Sequence, residues 1–194
     1  MAVRRLEKRT EAVKMDQMAG HREDYILMTV AALALDPTTK TPIVLLKDPD
    51  NKLNLPIWIG LLEAGSIATE LEGIKSQRPM THDLLRNVLG ELGGTVEAIE
   101  LTELRDNTYY AQIQVKTREG RALAIDSRPS DAISLALRTK SPIYVAKKVL
   151  EVSSELQQAS NETSERDQNL SGVSRDKWGE ILERMSPDDF KYKM

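Results

Sequence analysis

Four clusters of turn-forming residues, Asp36-Pro37-Thr38-Thr39, Asp48-Pro49-Asp50-Asn51, Asp106-Asn107 and Glu119-Gly120, punctuate the 194-residue chain, each between two runs that alternate apolar and polar residues. Proline presets the φ of a turn, Asp and Asn tolerate left-handed backbone, and short loops of this kind fold a strand back onto its neighbour. In the flanking runs Leu53, Leu55, Ile57 and Ile59 point one way, and Tyr109, Ala111, Ile113 and Val115 do the same. This pattern predicts two antiparallel three-stranded meanders, approximately over 25–59 and 95–126.

Each meander runs into a helix. The first helix enters at Gly60, carries Leu61, Leu62, Ala64, Ile67, Ala68 and Leu71, and stops near Gly73; the second starts near Pro129 and carries Ala132, Ile133, Leu135, Ala136 and Leu137. A middle helix is expected between them, with Thr81 as N-cap, Met80 and Leu85 at the two positions of a hydrophobic staple, and Gly93-Gly94 as its stop. With a short strand at Ile143 to Val145, the order βββα, α, βββα predicts an α+β fold and admits an internal duplication.

The balanced, apolar-rich part of the chain is its middle, which places a compact domain at 25–150. Residues 1–24 mix Arg4, Arg5, Lys8, Arg9 and Lys14 with acids and read as an extension, partly helical or disordered and dispensable for folding. Residues 151–175, mostly Ser, Gln, Asn, Glu and Asp from Ser153 onward, read as a polar linker. In 176–194, Trp178, Ile181, Leu182 and Met185 fall at i, i+3, i+4 and i+7 on a short amphipathic helix that Pro187 ends. So short a helix is marginal alone, so it packs back on the domain or serves as a tethered ligand for a protein partner.

Composition removes several function classes. There is no cysteine, which excludes thiolate chemistry, Cys-ligated zinc and disulfides, and two histidines cannot build a His-rich metal cage. The net charge of −3 is not that of a nucleic-acid coater, so any contact with a polyanion must be local. The longest apolar stretch, Tyr25 to Leu35, is about half the ~20 residues that a membrane helix needs, and the charged N-terminus has no apolar signal region. A soluble, cytoplasmic protein without a membrane partner is expected.

Two segments share an arrangement that bears on chemistry. Arg78-Pro79-Met80-Thr81-His82-Asp83 and Arg128-Pro129-Ser130-Asp131 each set an Arg-Pro pair at a helix entrance and an Asp in or near the first turn. Proline keeps the preceding arginine out of helical geometry, beside free N–H groups at the positive end of the dipole, where a phosphate could be cradled. The same spacing also suits an Asp that caps its helix and an Arg that pairs with it. Asp126, at a strand end, and Asp131 could hold a hard cation such as Mg²⁺ or Mn²⁺, or could serve as turn and cap residues. Glu63 suits the dipole of the first helix, and His82 is available as a base or a ligand.

Four blocks carry a resemblance: Leu55-Pro56-Ile57-Trp58-Ile59-Gly60 followed by Glu63; Arg78 through Leu85; Asp106-Asn107-Thr108-Tyr109-Tyr110-Ala111; and Asp126-Ser127-Arg128-Pro129-Ser130-Asp131-Ala132-Ile133. In this order, across approximately 27–150, they resemble the signature blocks of the bacterial bifunctional nuclease family. The resemblance implies an α+β domain that pairs into a wedge-shaped homodimer with an active-site groove, acting on DNA and RNA. Carried over by motif, the candidate site residues are Glu63, Arg78, His82, Asp83, Asp126, Arg128 and Asp131, with Asn107 in support. In the roles expected of them, Asp126, Asp131 and Glu63 hold a divalent cation that activates water, Arg78 and Arg128 bind phosphate, and His82 moves protons. The rival expectation is a non-catalytic module that binds a phosphorylated ligand or a protein partner.

Overall fold

Alternation becomes pairing where the sequence predicts it. The computed structural model describes residues 23–37 and 39–161. The first meander is β1 (Tyr25–Leu35), β2 (Pro42–Lys47) and β3 (Asn54–Trp58); the second is β4 (Thr95–Arg105), β5 (Thr108–Lys116) and β6 (Ala122–Ser127). Neighbours within each are antiparallel. The turns hold the left-handed backbone that their residues tolerate, with φ of 55° at Asn51 and of 50° and 58° at Asp106 and Asn107. Two successive left-handed residues give the tight reversal that suits the twist of a hairpin, so Asn107 shapes the β4–β5 turn.

The last and shortest strand decides the architecture. β7 (Ile143–Ala146) inserts between the meanders, antiparallel to β1 and parallel to β4, and makes one seven-stranded mixed sheet of order β3-β2-β1-β7-β4-β5-β6. Register shifts at Val30/Ala32 in β1 and at Val96/Ala98 and Leu101/Glu103 in β4 are bulges, which bend a strand and add twist. The sheet coils far enough for the Tyr109 hydroxyl of β5 to donate to the Pro56 carbonyl of β3 at 3.2 Å, across the four strands that separate them in the order.

Among the described residues four helices complete this α+β fold: α1 (Leu61–Leu71), α2 (Thr81–Glu91), α3 (Pro129–Thr139) and α4 (Lys147–Asn161). α3 is the hub, packed against both α1 and α2 and against β4 and β5, with Ala132, Ile133, Leu135 and Ala136 buried. One continuous core joins them to Leu46, Leu55, Ile67, Ile99, Leu101 and Val145, so neither meander has a core of its own. α2 buries none of its residues and is held mainly by polar bonds, described below.

Two local expectations are corrected. The cap of α2 is Met80 rather than Thr81, because the Asp83 carboxylate reaches back to accept the Met80 N–H at 3.0 Å; this also takes Met80 and Leu85 off the staple positions. The domain does not end near Leu150, since α4 continues to Asn161. Its polar composition hides one inward face, on which Val149 and Ser153 stand at i and i+4, Val149 fully buried and Ser153 bonded through Oγ to the Tyr109 hydroxyl at 3.2 Å. The extension up to residue 22, the remainder of the expected linker and the segment 176–194 lie outside the described residues. Among those described, no helix is long and apolar enough to cross a membrane.

Candidate functional site

Three helix starts meet at one place on the molecule. Glu63 comes from the first turn of α1, His82 from the first turn of α2, and Asp131 from the first turn of α3, with Arg128 as the extended cap residue before Pro129. Pro129 at the first helical position leaves Arg128 at φ −67° and ψ 145°, outside the helix, from where its side chain folds back over the turn. The Arg128 guanidinium then bridges two carboxylates. Its Nε donates to Asp131 Oδ2 at 2.8 Å, Nη2 to Asp131 Oδ1 at 3.2 Å, and Nη1 to Glu63 Oε1 at 2.8 Å. The Arg128 side chain is 61% exposed while that of Glu63 is only 11% exposed, so the arginine forms the outer layer of the cluster. Gly60 caps α1 directly beneath it, and a Cβ there would make the Glu63 carboxylate shift.

His82 lies one layer deeper. Its Nε2 is 3.1 Å from Asp131 Oδ1 and its Nδ1 is 2.9 Å from Ser66 Oγ on α1. Burial alone would raise the Asp131 carboxyl, but hydrogen bonds from Arg128 and His82 more than offset it and hold it below the ordinary range. An ionised carboxylate accepts only, so the proton on Nε2 points to Asp131. Both ring nitrogens are engaged within the protein. The hydrogen bonds to Asp131, with the nearby Asp131 and Glu63 charges, raise the Arg128 pKa despite some desolvation, so Arg128 stays a cation at any working pH.

A second Arg–Asp pair stands behind the first. Arg138, whose side chain is 1% exposed, donates through Nε to Asp83 Oδ1 at 2.8 Å, through Nη1 to the Ser134 carbonyl at 3.0 Å and through Nη2 to the Ser66 carbonyl at 3.2 Å. One guanidinium thus ties α1, α2 and α3 together, and Ser66 belongs to both layers: its carbonyl to Arg138, its hydroxyl to His82. Burial tends to raise the Asp83 carboxyl, but the Met80 N–H and the Arg138 guanidinium bring it below the ordinary range. Neither Ser66 nor Arg138 stood out in the sequence. The signal was present, since Asp131, Ser134 and Arg138 fall at i, i+3 and i+7 and form a polar stripe on an otherwise buried helix.

The structure therefore gathers Glu63, His82, Arg128 and Asp131 into one cluster and seats Asp83 in the layer behind it. Three expected members are elsewhere. Asp126 is exposed on β6, in register with Gln112, and no hydrogen bond or ion pair joins it to the cluster, because the strand ends before the chain turns to place Arg128. Arg78 lies in the exposed segment between α1 and α2, and Asn107 in the β4–β5 turn. A cation held jointly by Asp126 and Asp131 has no support in this arrangement. Among the described residues no three His, Asp or Glu side chains assemble as ligands, and the carboxylates of Glu63 and Asp131 are both hydrogen-bonded to the one Arg128 guanidinium.

The family model of the bifunctional nuclease domain matches residues 44–158, and the chain belongs to this family. An uncharacterized protein of Mycobacterium tuberculosis is 34% identical over 166 residues, which is 84% of this chain and 96% of that protein. Bifunctional nuclease 1 of Arabidopsis thaliana is 26% identical over 72% of this chain, and bifunctional nuclease 1 of Oryza sativa subsp. indica is 28% identical over 55%. These matches span 40% and 33% of the two plant proteins.

Proposed function

We propose that the protein hydrolyses phosphodiester bonds of DNA and RNA at the Glu63–His82–Arg128–Asp131 cluster. The carrying observation is the convergence of these four residues from three helix starts, in a chain of the bifunctional nuclease family. Arg128 keeps outward N–H groups beyond those it gives to Glu63 and Asp131, and binds the scissile phosphate and the charge that builds on it. Water attacks phosphorus, its proton passes to the Glu63 carboxylate, and the bond to the leaving oxygen breaks as that oxygen takes a proton from solvent. Asp131, held by His82 and through it by Ser66, fixes the plane of the guanidinium. The homodimer that the resemblance implies belongs to the same proposal.

Purified protein incubated with single-stranded DNA and RNA in Mg²⁺, Mn²⁺ or EDTA tests this reading. Cleavage above background is expected, with Glu63→Gln slower by roughly 100-fold, the usual effect of removing a general base. Equal cleavage by the variant and the wild type would sink the assignment, and cleavage that disappears in EDTA would place a metal in the reaction. A second reading has one observation in its favour. Arg128 and both nitrogens of His82 already have partners inside the protein, as in a module that binds a phosphorylated ligand without cutting it. Its signature is strand binding with no cleavage under any of the three conditions.

A further inference from the structure

Three cations that form no ion pair with the site share one cleft. An open cavity of about 440 Å³ lies between the segment that follows α1 and the first turns of α2, and Lys75, Arg78, Arg86 and Arg138 line it together with Glu70 and Asp83. Arg138 and Asp83 neutralise each other at 2.8 Å. Among the described residues neither Lys75 nor Arg78 has a carboxylate within ion-pair distance, and Arg86 donates only to the neutral Asn87 side chain, at 3.1 and 3.3 Å. With Glu70 as the one unpaired acid in the lining, the cleft carries an excess of positive charge in a chain whose net charge is −3. A concave surface with several unpaired cations concentrates field and selects anions, whereas the same cations dispersed on a convex surface would be solvated singly.

Its position assigns the anion. The cleft and the proposed catalytic cluster both border the first turn of α2, where His82 bonds Asp131 of the cluster and the next residue, Asp83, lines the cleft and bonds Arg138. Ser66 is common to both, bonded to His82 through its hydroxyl and to Arg138 through its carbonyl. We infer that the cleft holds a backbone phosphate of the nucleic-acid strand whose scissile bond lies at Arg128, an inference that rests on the nuclease reading for the identity of its ligand. The cleft accounts for Arg78, which the sequence offers as a phosphate ligand and the fold keeps out of the cluster. A strand held at both points is registered on the enzyme without touching any base, which gives a low sequence preference.

The test is a fluorescence anisotropy titration of the full chain with a labelled, uncleavable phosphorothioate oligothymidylate at several NaCl concentrations. The triple variant Lys75→Gln/Arg78→Gln/Arg86→Gln is expected to bind on the order of tenfold more weakly at low salt, and to flatten the plot of log Kd against log salt by about 0.7, the contribution of the one single-strand phosphate that the protein no longer neutralises. Arg78→Gln alone, in an exposed segment where misfolding is not a concern, is expected to weaken binding in the same direction by a smaller factor, with a flattening below about 0.7. Wild-type Kd and slope in both variants would overturn the cleft. Inorganic phosphate is the second arm. Displacement of the oligonucleotide by free phosphate at an equal concentration of phosphate groups would assign the cleft to a small phosphorylated ligand and overturn the strand assignment. Binding and cleavage are read separately, so strand binding that depends on these cations in a protein that cuts nothing refutes the nuclease reading and leaves a strand-binding cleft.

Discussion

Two Arg–Asp pairs of equal length occupy the same end of this molecule and have different physics. Arg128–Asp131 and Arg138–Asp83 both close at 2.8 Å. The first is local, three residues apart on one helix entrance, with its arginine side chain 61% exposed; the second joins residues 55 apart in the chain, with its arginine side chain 1% exposed. An exposed pair contributes about 0–1 kcal/mol, because solvent screens it and competes for it, and so its arginine is available to a ligand. A buried guanidinium that has lost its water depends on its partners, and removal of one side leaves an uncompensated charge. The bond length is the same, so burial decides which pair is a tool and which is a fastening.

Breaking the buried pair should have the largest effect. Arg138→Met removes the guanidinium that joins three helices and strands Asp83 without its countercharge, with an expected loss of roughly 3–5 kcal/mol in chemical denaturation. A loss below about 1 kcal/mol would show that the two pairs are alike. The exposed pair should respond in the opposite sense: Arg128→Gln is expected to keep stability within about 1 kcal/mol while cleavage falls roughly 100-fold, near 2.7 kcal/mol in the barrier. A variant that loses folding and cleavage together would make Arg128 architectural.

Acid separates the pairs more finely. Both Asp83 and Asp131 are held below the ordinary aspartate value of about 3.9, so the stability they supply is complete above about pH 4 and is lost as pH falls through their lowered folded values. Melting temperature should therefore be flat near neutrality and fall on the acid side of about pH 4. Asp83→Asn, which removes the partner of the buried arginine, should flatten that fall more than Asp131→Asn does. The reverse order would mean that the exposed cluster contributes more to folding than its burial indicates.

Much of the fold was written locally. Asp106-Asn107 and Asn51 adopt the left-handed backbone that their side chains tolerate, Leu55 and Ile57 alternate into the core, and Pro129 starts α3 with Arg128 outside it. These outcomes depend on a few bonds of the chain, and short-range sterics settle them. The middle of the site was legible for the same reason: the Arg128–Asp131 pair follows from a three-residue spacing at a helix start. Polar composition misled at α4, where a single inward face of Val149 and Ser153 was enough to extend the domain.

What the sequence left open is every choice among equivalent charges. Nothing in the spacing distinguishes Asp126 from Glu63 as a neighbour of Asp131, or Arg78 from Arg138 as a partner of Asp83. The packing of α1 and α2 on α3 makes those choices, and the place of β7 between β1 and β4 fixes how the two halves of the sheet present the helices to each other. By itself the sequence determined the strands, their turns and the first three helices, because backbone sterics and burial periodicity act over a few residues. Only the tertiary structure decided which arginine lost its water and which kept it, because desolvation is a property of the packed surroundings and not of neighbours along the chain.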